Sequence, residues 1–432
     1  MFLRMGRNSV RALAVAAIAV LTVSGCSKGL GGGNTAGATD VIKIGYVSPQ
    51  TGPLAPFGEA DSFVVKQMTQ QFKDKPLKVG DKTYRVEIIV KDSQSDSKRA
   101  GEVAAELINT DGVDLMLVAS TPDTTNPVAD QCEANGVPCI STVAPWQPFF
   151  FGRGGSPTKS FNWTYHFFWG LEDVEAVYQD MWSQVTTNKQ AGALWPNDPD
   201  GTAWGDKTNG FGPVVAKNGY SIVDPGFYPN GTEDFTAQVS RFKSGNADIL
   251  LGVPIPPDFI NFWKQAKQQS YTPKVATIGK ALLFPSSAEA LGDIANNLGT
   301  EVWWSPNHPF TSSLTGQSAK ALADAYTADT GKQWTQPIGF VHAMFEVAVA
   351  AVQKAGGKDK AAVANALKTL SLSTVVGPLD WTKGPVPNVA KTPLVGGQWR
   401  KSTGGKYPFD LVIVSNSLSP QIPTAGKVEA LA

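Results

Sequence analysis

The stretch VIKIGYVSPQTGPLAPFG, residues 41–58, decides the fold. Its first part packs Val41, Ile42, Ile44, Tyr46 and Val47 into a short run bounded by turn formers, and a run so rich in β-branched and aromatic residues predicts a buried strand. Gly52 and Pro53 follow in a loop. Phe63, Val64, Met68 and Phe72 then recur at helical spacing, which predicts a helix within residues 57–72. A loop from a strand's end to a helix's start is where α/β proteins receive ligands, because the helix's first N–H groups are unpaired there.

Outward from this unit the pattern repeats. Residues 84–90 predict a second strand ending in the polar loop 92–97, then come a helix at 100–108 and a strand at 113–119. The polar loop 120–125, a helix at 127–135 and a strand at 137–143 complete a β-α-β-α-β run. Such alternation implies a parallel sheet with helices on both faces and right-handed crossovers. Residues 146–169, carrying eight Phe, Trp or Tyr side chains between Phe149 and Phe168, break the rhythm and predict a long loop followed by a crossing segment. A second alternating set starts at Leu171: helix 171–184, strand 190–195, loop 197–205, then strands 220–224, 248–253 and 274–278 with helices between them. Beyond residues 301–305 the chain turns helical at 315–330, 340–355 and 360–369, with extended segments at 375–379 and 407–415. Two such sets predict two similar lobes.

With 432 residues, 42% of them apolar and 17% charged, the chain can bury two ordinary cores, so disorder is excluded. The first 25 residues have a basic start, an uncharged apolar run over 12–23 and small residues before Cys26, the layout of an export signal. Twelve apolar residues are too few to span a bilayer as a helix. Removing Arg4, Arg7 and Arg11 with that leader takes the 37 basic residues to 34 against 37 acidic ones, a balance of −3. A faintly acidic chain with no basic cluster argues against a nucleic-acid partner. Val23-Ser24-Gly25-Cys26 resembles the lipobox of bacterial lipoproteins, where the signal is cut before the Cys and that Cys is acylated; the Gly-rich residues 27–39 then read as a flexible tether.

Catalytic motifs are wanting. His166, His308 and His342 lie far apart with no Cys or carboxylate at metal-ligand spacing, so each is expected to be structural and no metal is expected. There is no Gly-x-Ser-x-Gly elbow and no P-loop, and Gly152-Arg153-Gly154 lacks the rest of a dinucleotide fingerprint. Asp198 and Asp200 suggest half a calcium loop, but the remaining spacing is wrong and the residue types favour a turn. Once Cys26 is acylated, Cys132 and Cys139 are the remaining thiols, and in an exported protein they are expected to pair, two buried free thiols being the alternative.

The order of IKIGYVSPQTGPLAPFG, LMLVASTPDTTNPVADQCEANGVPCIS, AGALWPNDPDGTAWGD, DILLGVP, GFVHAMFEVAVAAVQKAG and STVVGPLDW resembles the type I periplasmic binding proteins of the leucine/isoleucine/valine class, over essentially the whole mature chain. That resemblance implies an α/β fold of two Rossmann-like lobes with parallel sheets, joined by three crossing segments near 163–166, 303–305 and 376–378. The division implied is 1–25 leader, 26–40 tether, 41–164 plus 305–375 as one lobe, and 165–304 plus 376–432 as the other. It also implies a small-molecule ligand in the interlobe cleft, a permease partner in an ABC transporter, a monomer, no cofactor and no enzymatic activity. The expected location is the outer face of the cytoplasmic membrane, held by lipid on Cys26.

By the same resemblance a ligand carboxylate meets hydroxyls and N–H groups at Asp123, Thr124 and Thr125 and backbone at Val143, Ala144 and Pro145, between aromatic walls from Phe57 and Trp204. Trp146, Pro254 and Phe340 complete the expected site. Amino-acid binders place an acid just after the strand at 274–279 to hold the ligand's ammonium, whereas this chain has Lys280 and Ala281. Either Lys280 lines the cleft and takes a carboxylate, or it is exposed and Asp123 supplies the acid. The 12 Trp and 21 Phe suit an apolar or aromatic ligand, though core packing accounts for most of them equally well. Two other classes remain open, a ligand sensor without transport and an exported enzyme.

Overall fold

Strand β1 (Asp40–Ser48) is buried almost without interruption from Ile42 onward, because its neighbours cover it on both sides and helices cover both faces. The computed structural model describes residues 40–431. After β1 come α1 (Asp61–Asp74), β2 (Leu77–Val79), β3 (Lys82–Asp92), α2 (Ser97–Asn109), β4 (Leu115–Ala119), α3 (Pro122–Asn135), β5 (Cys139–Thr142), α4 (Trp146–Phe150) and β6 (Thr164–Phe167). The chain then crosses to a second lobe: α5 (Leu171–Ser183), β7 (Gln190–Pro196), α6 (Pro199–Trp204), α7 (Phe211–Ala216), β8 (Ser221–Val223), β9 (Phe227–Tyr228), α8 (Thr236–Ser244), β10 (Ile249–Gly252), α9 (Pro256–Gln268), β11 (Val275–Ile278), α10 (Pro285–Leu291) and β12 (Leu298–Val302). It returns to build α11 (Ala319–Thr330), α12 (Pro337–Ala355), α13 (Lys360–Lys368), the hairpin of β13 (Ser371–Thr374) and β14 (Gly377–Asp380), and β15 (Val389–Ala390), and crosses a last time to β16 (Val395–Lys401) and β17 (Phe409–Ser415).

The first sheet runs β15-β6-β5-β4-β1-β3-β2 and is parallel except for β2. Helices α2 and α3 bury Val103, Leu107, Val128 and Cys132 against one face. On the other face, α1 lies beside α12. Helix α12 is apolar almost all round, which in a soluble fold requires burial on every side, and 78% of its most apolar window is buried. It is a core helix, although by length and composition it could cross a membrane. The second sheet runs β17-β16-β12-β11-β10-β7-β8, with β16 alone running against the other strands, antiparallel to both β12 and β17. Here α5 and α7 cover one face, and α8, α9 and α10 the other. This is the two-lobed α/β architecture of the type I periplasmic binding proteins.

Two of the expected boundaries move. All of β6 pairs with β5, so residues 164–167 belong to the first sheet and the first crossing is at 168–170, not near 163–166. The third crossing is at 391–394 rather than near 376–378, because β13 and β14 pair with each other beside α12 and β15 then adds to β6. Both misplacements have one cause: a short apolar run reads alike as an edge strand or as a crossing until its hydrogen-bonding partner is known. Helix α3 also starts five residues before the expected Pro127, with Pro122 in its first turn, where a missing N–H costs nothing. Residues 146–150, expected as loop, form α4.

Candidate ligand-binding site

The strand-end loops of both lobes meet around a small cavity. The first lobe contributes Phe57 after β1, Thr121 after β4, and Val143 and Pro145 after β5. From the second come Asp200 and Trp204 on α6, Val253 after β10, and Lys280 and Leu283 after β11. The crossings add Phe168 and Trp169 on one side, Glu301 and Trp303 on the other. Phe57 touches Phe284 edge to face at 4.8 Å, so the lobes are closed on each other.

Two cavity residues carry backbone strain, one on each lobe. Val143 has φ +70°, a left-handed conformation that its branched Cβ disfavours. Lys280 has φ +59° and ψ −59°, the apex of a tight turn closed by the N–H of Ala281 on the carbonyl of Gly279. Strain of this kind, on the order of 1–3 kcal/mol per residue, persists only where the surroundings enforce it. For Val143 the enforcement is legible: His166, stacked on Phe149 at 4.2 Å, reaches the Ala144 carbonyl with Nε2 at 2.7 Å and Ser141 Oγ with Nδ1 at 2.9 Å. A carbonyl can only accept, so Nε2 carries the proton and Nδ1 accepts from Ser141. Burial pushes the imidazole down to about 3, which keeps it neutral.

Lys280 is enforced by charge. Its Nζ donates to Asp198 Oδ2 and to Asp200 Oδ2, both at 2.8 Å, and its own N–H donates to Glu301 Oε1 at 3.2 Å. Burial alone would lower the ammonium's pKa, but Asp198, Asp200 and Asp123 raise it above the usual lysine value. Asp198 also caps α6, accepting from the N–H of Gly201 at 2.8 Å. Asp200 is raised by burial to about 6 despite Lys280, and its Oδ1 has no partner in the protein. Glu301 is raised by burial to about 7, while Tyr178 and Thr300 donate to its Oε2.

Of the residues expected at the site, the structure brings Phe57, Val143, Pro145, Trp204 and Lys280 to the cavity wall. Asp123 stands behind the wall, near enough for its charge to reach Lys280, and burial raises its pKa. Thr124 and Thr125 are buried in the first turn of α3, with Thr125 Oγ1 bound to the Ser120 carbonyl at 2.9 Å, so Thr121 takes the lining position instead. Ala144 is the acceptor for His166, and Val253 lines the cavity rather than Pro254. Trp146 binds Glu172 Oε1 through Nε1 at 3.1 Å, and Phe340 packs behind the wall against Phe168 at 5.1 Å and Trp303 at 5.2 Å. Lys280, expected to take a ligand carboxylate if it lines the cleft, does line the cavity, and two aspartates of its own chain already bind its ammonium there. Those aspartates, taken as a turn, carry the one signal that sequence reading passed over: a doublet of acids in a strand-end loop.

Cys132 and Cys139 are both free thiols, buried and in hydrogen-bonding contact with each other, so the expected disulfide is absent from the structure. Burial and the neighbouring Cys139 raise the Cys132 thiol well above the ordinary value, and a thiol held protonated is a poor partner for exchange. Cys26, the leader and the tether lie outside the described residues.

Two doubly wound lobes that close their strand-end loops over one cavity define a two-lobed solute-binding protein. The chain belongs to the periplasmic binding protein family, whose model matches residues 41–404. Proteins of this family bind small molecules outside the cytoplasm and work with ABC transporters. A Leu/Ile/Val-binding protein homologue of Brucella suis is 23% identical over 354 residues, 77% of this chain and 82% of that one. The branched-chain amino acid transporter substrate-binding protein of Streptococcus pneumoniae, solved with isoleucine, superposes with a TM-score of 0.67 at 16% identity, over 87% of this chain and 100% of that one. A solute-binding protein of an ABC transporter from Rhodopseudomonas palustris, in complex with 3,4-dihydroxybenzoic acid, gives 0.68 at 19% identity, over 87% and 97%.

Proposed function

We propose that this protein is the solute-binding component of an ABC importer, a monomer held by lipid on Cys26 at the outer face of the cytoplasmic membrane, which carries a small organic solute to its permease. The observation that supports it most is the aromatic-walled cavity between the two sets of strand-end loops, the place where two-lobed α/β proteins receive ligands. Rings of Phe57, Phe168, Trp169, Trp204 and Trp303 wall it, which favours a ligand with an apolar or aromatic body, in keeping with the isoleucine and the dihydroxybenzoic acid held by the two structural relatives. The lipobox-like VSGC at 23–26 supports the anchor, and the family supports the transporter partnership. Calorimetric screening of the mature protein against amino acids, aromatic acids and small amines tests the reading. A saturable ligand with one site per chain is the expected result; no binding by any solute class would overturn it.

A further inference from the structure

The charges around the cavity do not balance. Lys280 is the only cation among the described residues that line it, and Asp198 and Asp200 both bind it at 2.8 Å. Asp123 acts on the same ammonium from behind the wall, and Glu301 accepts from the backbone of the same residue. One ammonium therefore faces three aspartates, with Glu301 a further acid in the same wall. Asp198 spends both oxygens, on Lys280, on Asn230 Nδ2 at 3.2 Å and on the cap of α6. Asp200 does not: its Oδ1, in a residue 3% exposed that lines the cavity, has no partner in the protein. The same cavity is lined by five aromatic side chains, Phe57, Phe168, Trp169, Trp204 and Trp303.

We propose that the cavity recognises a small organic cation, an ammonium head bearing apolar substituents, seated among these rings with its charge toward Asp200. This rests on the solute-binding reading above and names the ligand class for it. Aromatic faces are negative and attract a cation most strongly when water is excluded. An alkylated ammonium gives up little hydration on entering such a box, whereas no group of three or more His, Cys, Asp or Glu among the described residues is placed to hold a metal ion. Lys280 acts as a positioning residue: it cancels part of the acidic charge and holds the Asp200 carboxylate by Oδ2, leaving Oδ1 for the ligand. A simple carboxylate gains little from an ammonium already paired twice and is repelled by the surplus acids.

Calorimetry at pH 7.5 on the mature protein, with tetramethylammonium and choline as cationic probes, benzoate as an anion and leucine as a zwitterion, tests this. The cations should bind and benzoate should not. Asp200→Asn should weaken the cations by about ten-fold or more, and Trp204→Phe, which keeps an aromatic ring at that position, by a few-fold. Circular dichroism establishes that each variant is folded. Benzoate or leucine binding while both cations stay silent would overturn the proposal but leave solute binding standing, as would cation affinities untouched by both substitutions. Silence of all four probes, followed by silence of the wider solute panel, would instead remove the solute-binding reading itself.

Discussion

At the scale of single residues, Lys280 is the most consequential side chain in the molecule. Its buried ammonium is the partner of two buried carboxylates, and removing one side of such a cluster leaves charges that nothing solvates. Lys280→Met is expected to lower unfolding stability by about 3–5 kcal/mol, read from urea denaturation. A loss below about 1 kcal/mol would show that the aspartates do not depend on it. Glu301 gives a second expectation, one of pH. Burial raises its folded pKa to about 7, above the ordinary 4.5 of the unfolded chain, so across that window the native state keeps a proton that the unfolded state has lost. Stability must then fall as pH rises from about 4.5 to 7. Buried Asp61 and Glu346, also raised by burial, act in the same direction. Glu301→Gln should make the fall in the urea midpoint between pH 5 and 7.5 visibly smaller, and an unchanged slope would refute the assignment.

At the scale of elements, the junction of α4 with α5 is tied across the first crossing. Glu172, in the first turn of α5, accepts from Trp146 Nε1, and Lys391 of the third crossing binds both Glu172 and Asp173 at 2.7 Å. Gly170 makes this possible by space rather than by conformation: a Cβ there would come within 2.1 Å of Trp146 Nε1. Gly170→Ala is therefore expected to cost about 1–3 kcal/mol by overpacking, and a thermal midpoint equal to the wild type's would count against it. Helix α3 and strand β5 carry the two thiols. Titration of unfolded, unreduced protein lacking Cys26 should find two reactive groups, whereas finding none would mean that Cys132 and Cys139 oxidise in the exported protein.

For the whole molecule, the lobes are expected to move on each other at residues 168–170, 303–305 and 391–394, the segments that join them. The structure brings Phe57 of one lobe against Phe284 of the other and lines the cavity from both lobes, so parting of the lobes is the expected route for ligand entry. Small-angle scattering should show the radius of gyration falling when ligand saturates the protein. An unchanged radius on demonstrated binding would argue that entry needs no opening. The anchor belongs to this scale too: Cys26→Ser should move the protein from the membrane fraction to the soluble one, because acyl chains acting together hold far more firmly than one.

Local pattern was enough for the lobes. Period-2 and period-3.6 apolar spacing, with Gly and Pro between, determined that strands and helices alternate twice and that ligand loops lie at strand ends, since most of each sheet comes from one continuous stretch of chain. The leader and its Cys are read from linear signals alone and lie outside the described residues. The placement of edge strands was not: β15 joins β6 from more than 220 residues away, and no local property of Val389 and Ala390 records that partner. The charge of the cavity was also beyond reach, because Lys280 lies 80 residues or more from Asp198 and Asp200 and each reads alone as an ordinary surface charge. Only the tertiary structure, by burying all three together in one closed cleft, turned a lysine that looked free for a carboxylate into one already paired.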